Sequence, residues 1–236
     1  ADLIYATPGE TDADLRASVE GVLAEGIDHL SAYSLIVEPG TRLAARIRRG
    51  EMPAPDDDVA AERYALIDDL AEGAGLPWYE VSNWAAPGGE CRHNLGYWCG
   101  DDWWGAGPGA HGHIGAVRWW NVKHPATYGA RVAADELPVD GWERVGDAEA
   151  RLEEVMLRIR LREGLPTAGL SEAAVAGLVR AGWVEEAPVG SGTLVLTRAG
   201  RLMADEIVRR LTDEGTAPTG PPAAEGVGLA LSAGEC

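Results

Sequence analysis

The sequence predicts an α/β protein, a strand-and-helix layer followed by a winged-helix-like module. Three observations carry this. Short apolar runs alternate with amphipathic helical stretches through residues 1–82. The connections between those runs are long enough for helical crossovers, which favour a parallel sheet. After residue 146 the pattern changes to helix, helix, hairpin, helix. The first part is then a piece of an α/β layer or of a (β/α) barrel.

The elements follow in order. Leu3, Ile4 and Tyr5 form a strand that stops at the Pro8-Gly9 turn. Thr11 is placed to cap a helix, with Asp12 and Asp14 in its first turn and Leu15, Val19, Val22 and Leu23 on one face. Gly26 ends it. Residues 29–37 are the second strand, closed by Pro39-Gly40. Asp56 to Asp58 start a second helix carrying Val59, Leu66, Ile67 and Leu70, and residues 78–82 are a third strand. Residues 121–146, with Pro125, Pro138 and Gly141, read as a connector. Residues 147–162 and 172–181 read as helices, 184–197 as a hairpin turning at Gly190-Ser191-Gly192, and 200–211 as a last helix. Residues 214–236, rich in Ala, Gly and Pro, read as a disordered tail.

Composition removes several function classes. The formal charge of -18 argues against nucleic acid or an anionic membrane surface as the main partner. Winged helices often bind DNA, yet residues 147–214 hold nine Arg against twelve Asp or Glu. A DNA reader needs a basic stripe instead. Mean hydropathy is -0.13, no apolar run reaches a membrane span, and no signal peptide pattern opens the chain, so a cytoplasmic location is expected. Cys91, Cys99 and Cys236 make no disulfide framework, and a zinc set of Cys91, His93, Cys99 and His111 lacks the usual paired spacing. The chain opens directly on strand residues, as a truncated domain would.

Residues 79–113 carry the functional signal. They hold four Trp, three His, two Cys and eight Gly. So many glycines disfavour a packed helix. Imidazole ligates metals and moves protons, and indole offers a flat apolar face with one polar handle. Together they suit a flat, partly polar ligand, with or without a metal. Gly105, Gly107 and Gly109 let the main chain approach a ligand closely, although a tight structural turn explains them equally well. Of the adjacent pairs Trp103-Trp104 and Trp119-Trp120, one member of each should face the core.

Four blocks, DLIYATPGET, HLSAYSLIVEPGT, YEVSNWAAPGGECRHNLGYW and WWGAGPGAHGH, resemble successive blocks of the HemW family of radical-SAM haem chaperones. These proteins are also known as oxygen-independent coproporphyrinogen III oxidase-like proteins. The resemblance runs from Asp2 to about Leu211, and His93-Asn94-Leu95-Gly96-Tyr97-Trp98 matches the family's HNxxYW signature. It implies the later part of a radical-SAM (β/α) partial barrel over 1–120, a connector over 121–146 and a winged-helix-like HemN-type C-terminal domain over 147–213. The CxxxCxxC motif that holds the family's [4Fe-4S] cluster is absent, so the cluster cysteines lie outside this chain. The chain is not expected to be catalytic alone.

The resemblance also implies roles. Asp2 would contact the ribose hydroxyls of SAM, Ala32 would lie at the SAM edge through its backbone, and His111 would sit beside SAM. His93 would ligate haem iron, Asn94 would orient its ring, and Tyr97 and Trp98 would contact the porphyrin. Cys91 and Cys99 are competing thiolate ligands, and His113 and His124 weaker candidates. The implied activity is haem binding and transfer to acceptor proteins, with peripheral contact to membrane-bound acceptors. SAM and the [4Fe-4S] cluster belong to the full-length parent. The alternatives are an oxygen-independent coproporphyrinogen III oxidase and a non-catalytic winged-helix interaction protein.

Overall fold

The computed structural model describes residues 1–212, and the tail expected over 214–236 lies outside them. Strand β1 (Asp2–Tyr5) pairs in parallel with β2 (His29–Ser34), Asp2 opposite Ser31 and Tyr5 opposite Ser34. Helix α1 (Asp12–Ala24) crosses between them. Thr11 and Asp14 form its capping box, and Gly26 leaves it with φ +73°, where a side chain would be strained. A short helix that the sequence did not announce, α2 (Arg42–Arg48), starts at Thr41, whose hydroxyl accepts from the Ala44 N–H. Helix α3 (Asp57–Gly73) is capped by Asp56 and buries Tyr64, Ile67 and Ala71. These pack with Leu15 and Val19 of α1 and with Leu30, Ala32 and Trp84 of the sheet. Each large side chain so buried contributes roughly 1.5–3 kcal/mol.

The third strand differs from the parallel strand expected over 78–82. Strand β3 (Trp78–Glu80) reverses at once into β4 (Asn83–Ala85), which inserts next to β2 and runs antiparallel to it. The sheet order is β1-β2-β4-β3. The turn has no Gly or Pro to announce it. The Glu80 carboxyl makes it, accepting from the Ser82 N–H at 3.2 Å and from the Asn83 amide. Strand β2 also stops at Ser34 rather than Val37, leaving Ile36 exposed.

Helix α4 (Arg92–Cys99) lies inside the stretch expected to be too glycine-rich for a packed helix. Only Gly96 falls within it; the other glycines flank it. Next come β5 (His111–Ile114) and β6 (Val117–Asn121). The expected connector is structured too: it holds helix α5 (Pro125–Ala133) and strand β7 (Val139–Arg144), which completes a three-stranded sheet β5-β6-β7. Pro125 begins α5 at N1, where proline is favoured. Gly141 is glycine for packing rather than for turning. The Trp120 indole of β6 lies on it, 2.4 Å from where a Cβ would stand. Trp119 lies on Gly112 of β5 in the same way. Trp119 is thereby buried, whereas Trp104, edge to face with it at 5.0 Å, is exposed.

The C-terminal module keeps the winged-helix outline with altered detail. It runs α6 (Asp147–Arg158), β8 (Leu165–Pro166), α7 (Glu172–Arg180), α8 (Glu186–Gly190), β9 (Thr193–Leu194), α9 (Arg198–Leu202) and α10 (Ala204–Thr212). The expected hairpin shrinks to one bridge, Val184 to Leu196, because residues 186–190 coil into α8; β9 pairs with β8 instead. The last helix breaks at Met203. Val155, Ile159, Leu178, Leu194 and Ile207 are among its buried core.

The two parts meet through buried charge. Arg201 of α9 donates to both oxygens of Asp68 in α3, at 2.9 and 2.7 Å, and to the Tyr64 hydroxyl at 3.0 Å. The Trp84 indole N–H donates to Asp68 at 2.7 Å, and the Arg201 guanidinium lies 4.5 Å from the Trp78 ring centroid. Burial alone would raise the Asp68 pKa, but Arg201, Trp84 and Arg198 together hold it below its ordinary value. Backbone contacts add to this: Leu161 bridges Glu80, and the Arg162 N–H donates to the Tyr79 carbonyl. Asp68→Ala strands a buried guanidinium and should cost about 3–5 kcal/mol in urea unfolding. Arg198→Ala, whose side chain is 37% exposed, should cost far less. Equal costs for the two would show that the buried pair is not the main tie.

Candidate functional site

The HNxxYW residues are two i,i+4 pairs on neighbouring stripes of α4. His93 and Tyr97 form one pair, their rings 4.8 Å apart and edge to face. Tyr97 meets Trp103 at 5.0 Å, and Trp103 meets His113 at 4.8 Å. A cleft of about 210 Å³ opens there, lined by Arg92, His93, Gly96, Tyr97, Asp101, Asp102 and Trp103. His93 is exposed at this cleft. The helix ends at Gly100 with φ +74°, and the Asp101 N–H returns to the Gly96 carbonyl, which turns the chain into the cleft wall.

Asn94 and Trp98 form the inner pair. Asn94 points away from the imidazole it was expected to orient: its amide donates to Glu80 Oε1 at 3.4 Å. The Trp98 indole N–H is buried without a hydrogen-bond partner and is not part of the cleft lining. Beneath α4, the Tyr79 hydroxyl bonds His29 Nε2 at 2.8 Å. Glu80 is 1% exposed. Burial pushes its pKa up to about 7, against smaller opposing effects of the Ser82 N–H, Asn94 and Arg160. Burial likewise raises Tyr79 to about 12 and lowers His29.

The residues expected near SAM are distributed over two sheets. Asp2 is exposed on β1, opposite Ser31. Ala32 sits in the helix-facing core, and its N–H is taken by the Ser82 carbonyl. His111 is exposed on β5, its ring 6.1 Å from Trp120. The glycine loop between α4 and β5 packs on itself. A Cβ on Gly105 would stand 2.2 Å from the His111 carbonyl oxygen, and the buried Asn121 amide donates to the Gly105 and Gly107 carbonyls at 3.0 Å. Self-packing therefore accounts for Gly105 without a ligand.

Cys91 precedes α4 as its N-cap, and Cys99 is exposed at the other end. Among the described residues, no group of three or more His, Cys, Asp or Glu is placed to hold a metal ion. The two described thiols, at opposite ends of α4, do not fit an iron–sulfur cluster. Sequence reasoning missed Glu80, Tyr79 and His29 under the helix, and Arg92, Asp101 and Asp102 in the cleft. The available signal was a carboxylate inside an otherwise aromatic and apolar strand run, Trp78-Tyr79-Glu80-Val81.

The fold is the later part of a radical-SAM (β/α) partial barrel with a winged-helix-like C-terminal domain. A solved structure titled "Coproporphyrinogen III oxidase (HemN) from Escherichia coli is a Radical SAM enzyme" superposes with a TM-score of 0.66 at 18% identity, over 89% of this chain and 54% of that one. At that identity the likeness speaks for the fold alone. Within that class the chain is strongly homologous to HemW haem chaperones and corresponds to their C-terminal part. "Heme chaperone HemW" of Mycobacterium tuberculosis (strain H37Rv) is 57% identical over 212 residues, 89% of this chain and 54% of that protein. "Heme chaperone HemW" of Bacillus subtilis is 31% identical over 217 residues, 87% of this chain and 56% of that protein. "Radical S-adenosyl methionine domain-containing protein 1, mitochondrial" of Danio rerio is 38% identical over 113 residues, 48% of this chain and 26% of that protein. The chain spans about half the length of the two HemW relatives. No protein-family model matches it.

The raised Glu80 pKa has a stability consequence. Between its ordinary 4.5 and about 7, the folded protein keeps a proton that the unfolded chain has lost. Stability contributed by Glu80 is therefore full below pH 4.5 and lost as pH rises through about 7. The loss is about 3 kcal/mol by linkage. Urea midpoints of Glu80→Gln should fall less over this range than those of the wild type. Parallel profiles would place the titration elsewhere.

Proposed function

We propose that the full-length protein is a haem chaperone and that the cleft face of α4 is where this segment meets haem. The observation that carries the reading is His93, an exposed imidazole beside Tyr97 and Trp103 with Arg92 in the same cleft. Imidazole is a common axial ligand of haem iron. A guanidinium pairs with propionate carboxylates, and ring edges pack on a porphyrin face. At about 210 Å³ the cleft is smaller than the 300–1,000 Å³ typical of enclosed ligand sites. It suits one edge or face of a porphyrin, with the rest open to a receiving protein. An open, singly anchored site suits release, which a chaperone requires.

The parent would hold SAM with contributions from Asp2, the Ala32 backbone and His111, and its cluster through cysteines outside this segment. SAM and the cluster together supply reductive radical chemistry; no residue of this chain performs that step alone. The acceptors would be haem-accepting proteins, including membrane-bound ones met peripherally. Among the described residues no helix is long and apolar enough to cross a membrane. A cytoplasmic site of action is part of the proposal, and nucleic acid is not among the partners, given the charge of -18.

Haem titration of the full-length protein tests this. His93→Ala should shift or abolish the Soret band and weaken affinity at least about tenfold, the loss expected for an axial ligand. Cys91→Ser and Cys99→Ser should bind as the wild type does. A wild-type spectrum in His93→Ala with a lost Soret shift in either serine variant would move the iron ligand to sulfur.

A further inference from the structure

We infer that Glu80 is the positioning residue of the haem helix: through Asn94 it holds α4, and with it His93, against β3. This deepens the haem-site reading above and rests on it. Helix α4 is eight residues long, and no residue within it is fully buried. It rests on α6 and ends at Gly100, and neither contact holds its inner stripe against the sheet. Helices this short are marginal without tertiary ties. The inner stripe supplies the tie. Asn94 donates to Glu80 Oε1 at 3.4 Å, so the amide joins the helix to the buried carboxyl of β3. Glu80 is itself immobilised by the Ser82 N–H and the Asn83 amide. The bridge to Leu161 fixes its backbone from the other side.

The tie responds to protonation. The charged and titratable groups around it are Arg160, just after α6, Tyr79 on β3, His29 on β2, and Cys91 before α4, which contacts Tyr79. Neutral Glu80 accepts from Asn94 and stays dry. Ionised Glu80 is a buried charge, and lifting α4 admits the water that solvates it. The helix is therefore tight below about pH 7 and looser above it. His93 moves with the helix, so haem affinity falls over the same range.

Hydrogen exchange of the haem-free full-length protein tests the tie without haem. After correction for intrinsic rates, amides of residues 92–99 should lose protection between pH 6 and 8 in the wild type. They should stay protected throughout in Glu80→Gln and exchange about tenfold faster at every pH in Glu80→Ala. Asn94→Ala cuts the tie from the helix side and should behave as Glu80→Ala does, even where the latter folds poorly. Haem affinity of each variant should follow its exchange. Wild-type exchange of α4 in both alanine variants, or parallel pH profiles for the wild type and Glu80→Gln, overturns the inference. Haem affinity unmoved in His93→Ala would instead overturn the haem assignment, and the haem-free exchange would still decide the role of Glu80.

Discussion

One buried carboxylate joins the two parts of this protein. Asp68, itself 1% exposed, gathers Arg201, Arg198 and the Trp84 indole N–H. Such a pair adds little net stability over an apolar contact of the same volume, because both charges are desolvated. Its effect is on geometry. Arg201 also lies over the Trp78 ring and donates to Tyr64, so α9 has one orientation in which all its partners are met. Trp78 opens β3, the strand that carries Tyr79 and Glu80. The contact that docks the C-terminal module therefore also fixes the strand under α4.

Helix α4 shows how one six-residue motif performs two tasks. Its outer stripe meets solvent and cleft, and its inner stripe meets the sheet. Helical spacing separates the two because adjacent residues do not share a face. The inner stripe meets the sheet and the outer one the cleft, so Asn94 bears on the cleft without lining it.

Much of the fold was legible. Thr11, Asp14 and Asp56 signal helix starts through side chains that accept backbone N–H groups, and Leu15, Val19 and Ile67 recur with helical period. What was hidden had local physical causes. Glycine counted over residues 79–113 masked an eight-residue helix with one glycine inside it. Pro125 and Gly141 look like breakers in sequence, yet one starts a helix and the other makes room for an indole. The β3–β4 reversal rests on the Glu80 side chain and has no turn residue to announce it. His93 and Tyr97 stood out by type and spacing. Glu80 did not, because a carboxylate in a strand ordinarily marks the solvent face, and here it marks the most buried polar contact under the site.

The three-stranded sheet carries a constraint of a different kind. Trp119 and Trp120 are neighbours on β6, and each lies on the glycine directly opposite it, Gly112 on one side and Gly141 on the other. A methyl group at either glycine would occupy space the indole fills. In the history of such a sequence the four positions cannot drift one at a time. A larger residue on an outer strand becomes acceptable only after the central strand has surrendered its tryptophan. Homologous chains should therefore keep or lose each tryptophan together with its glycine.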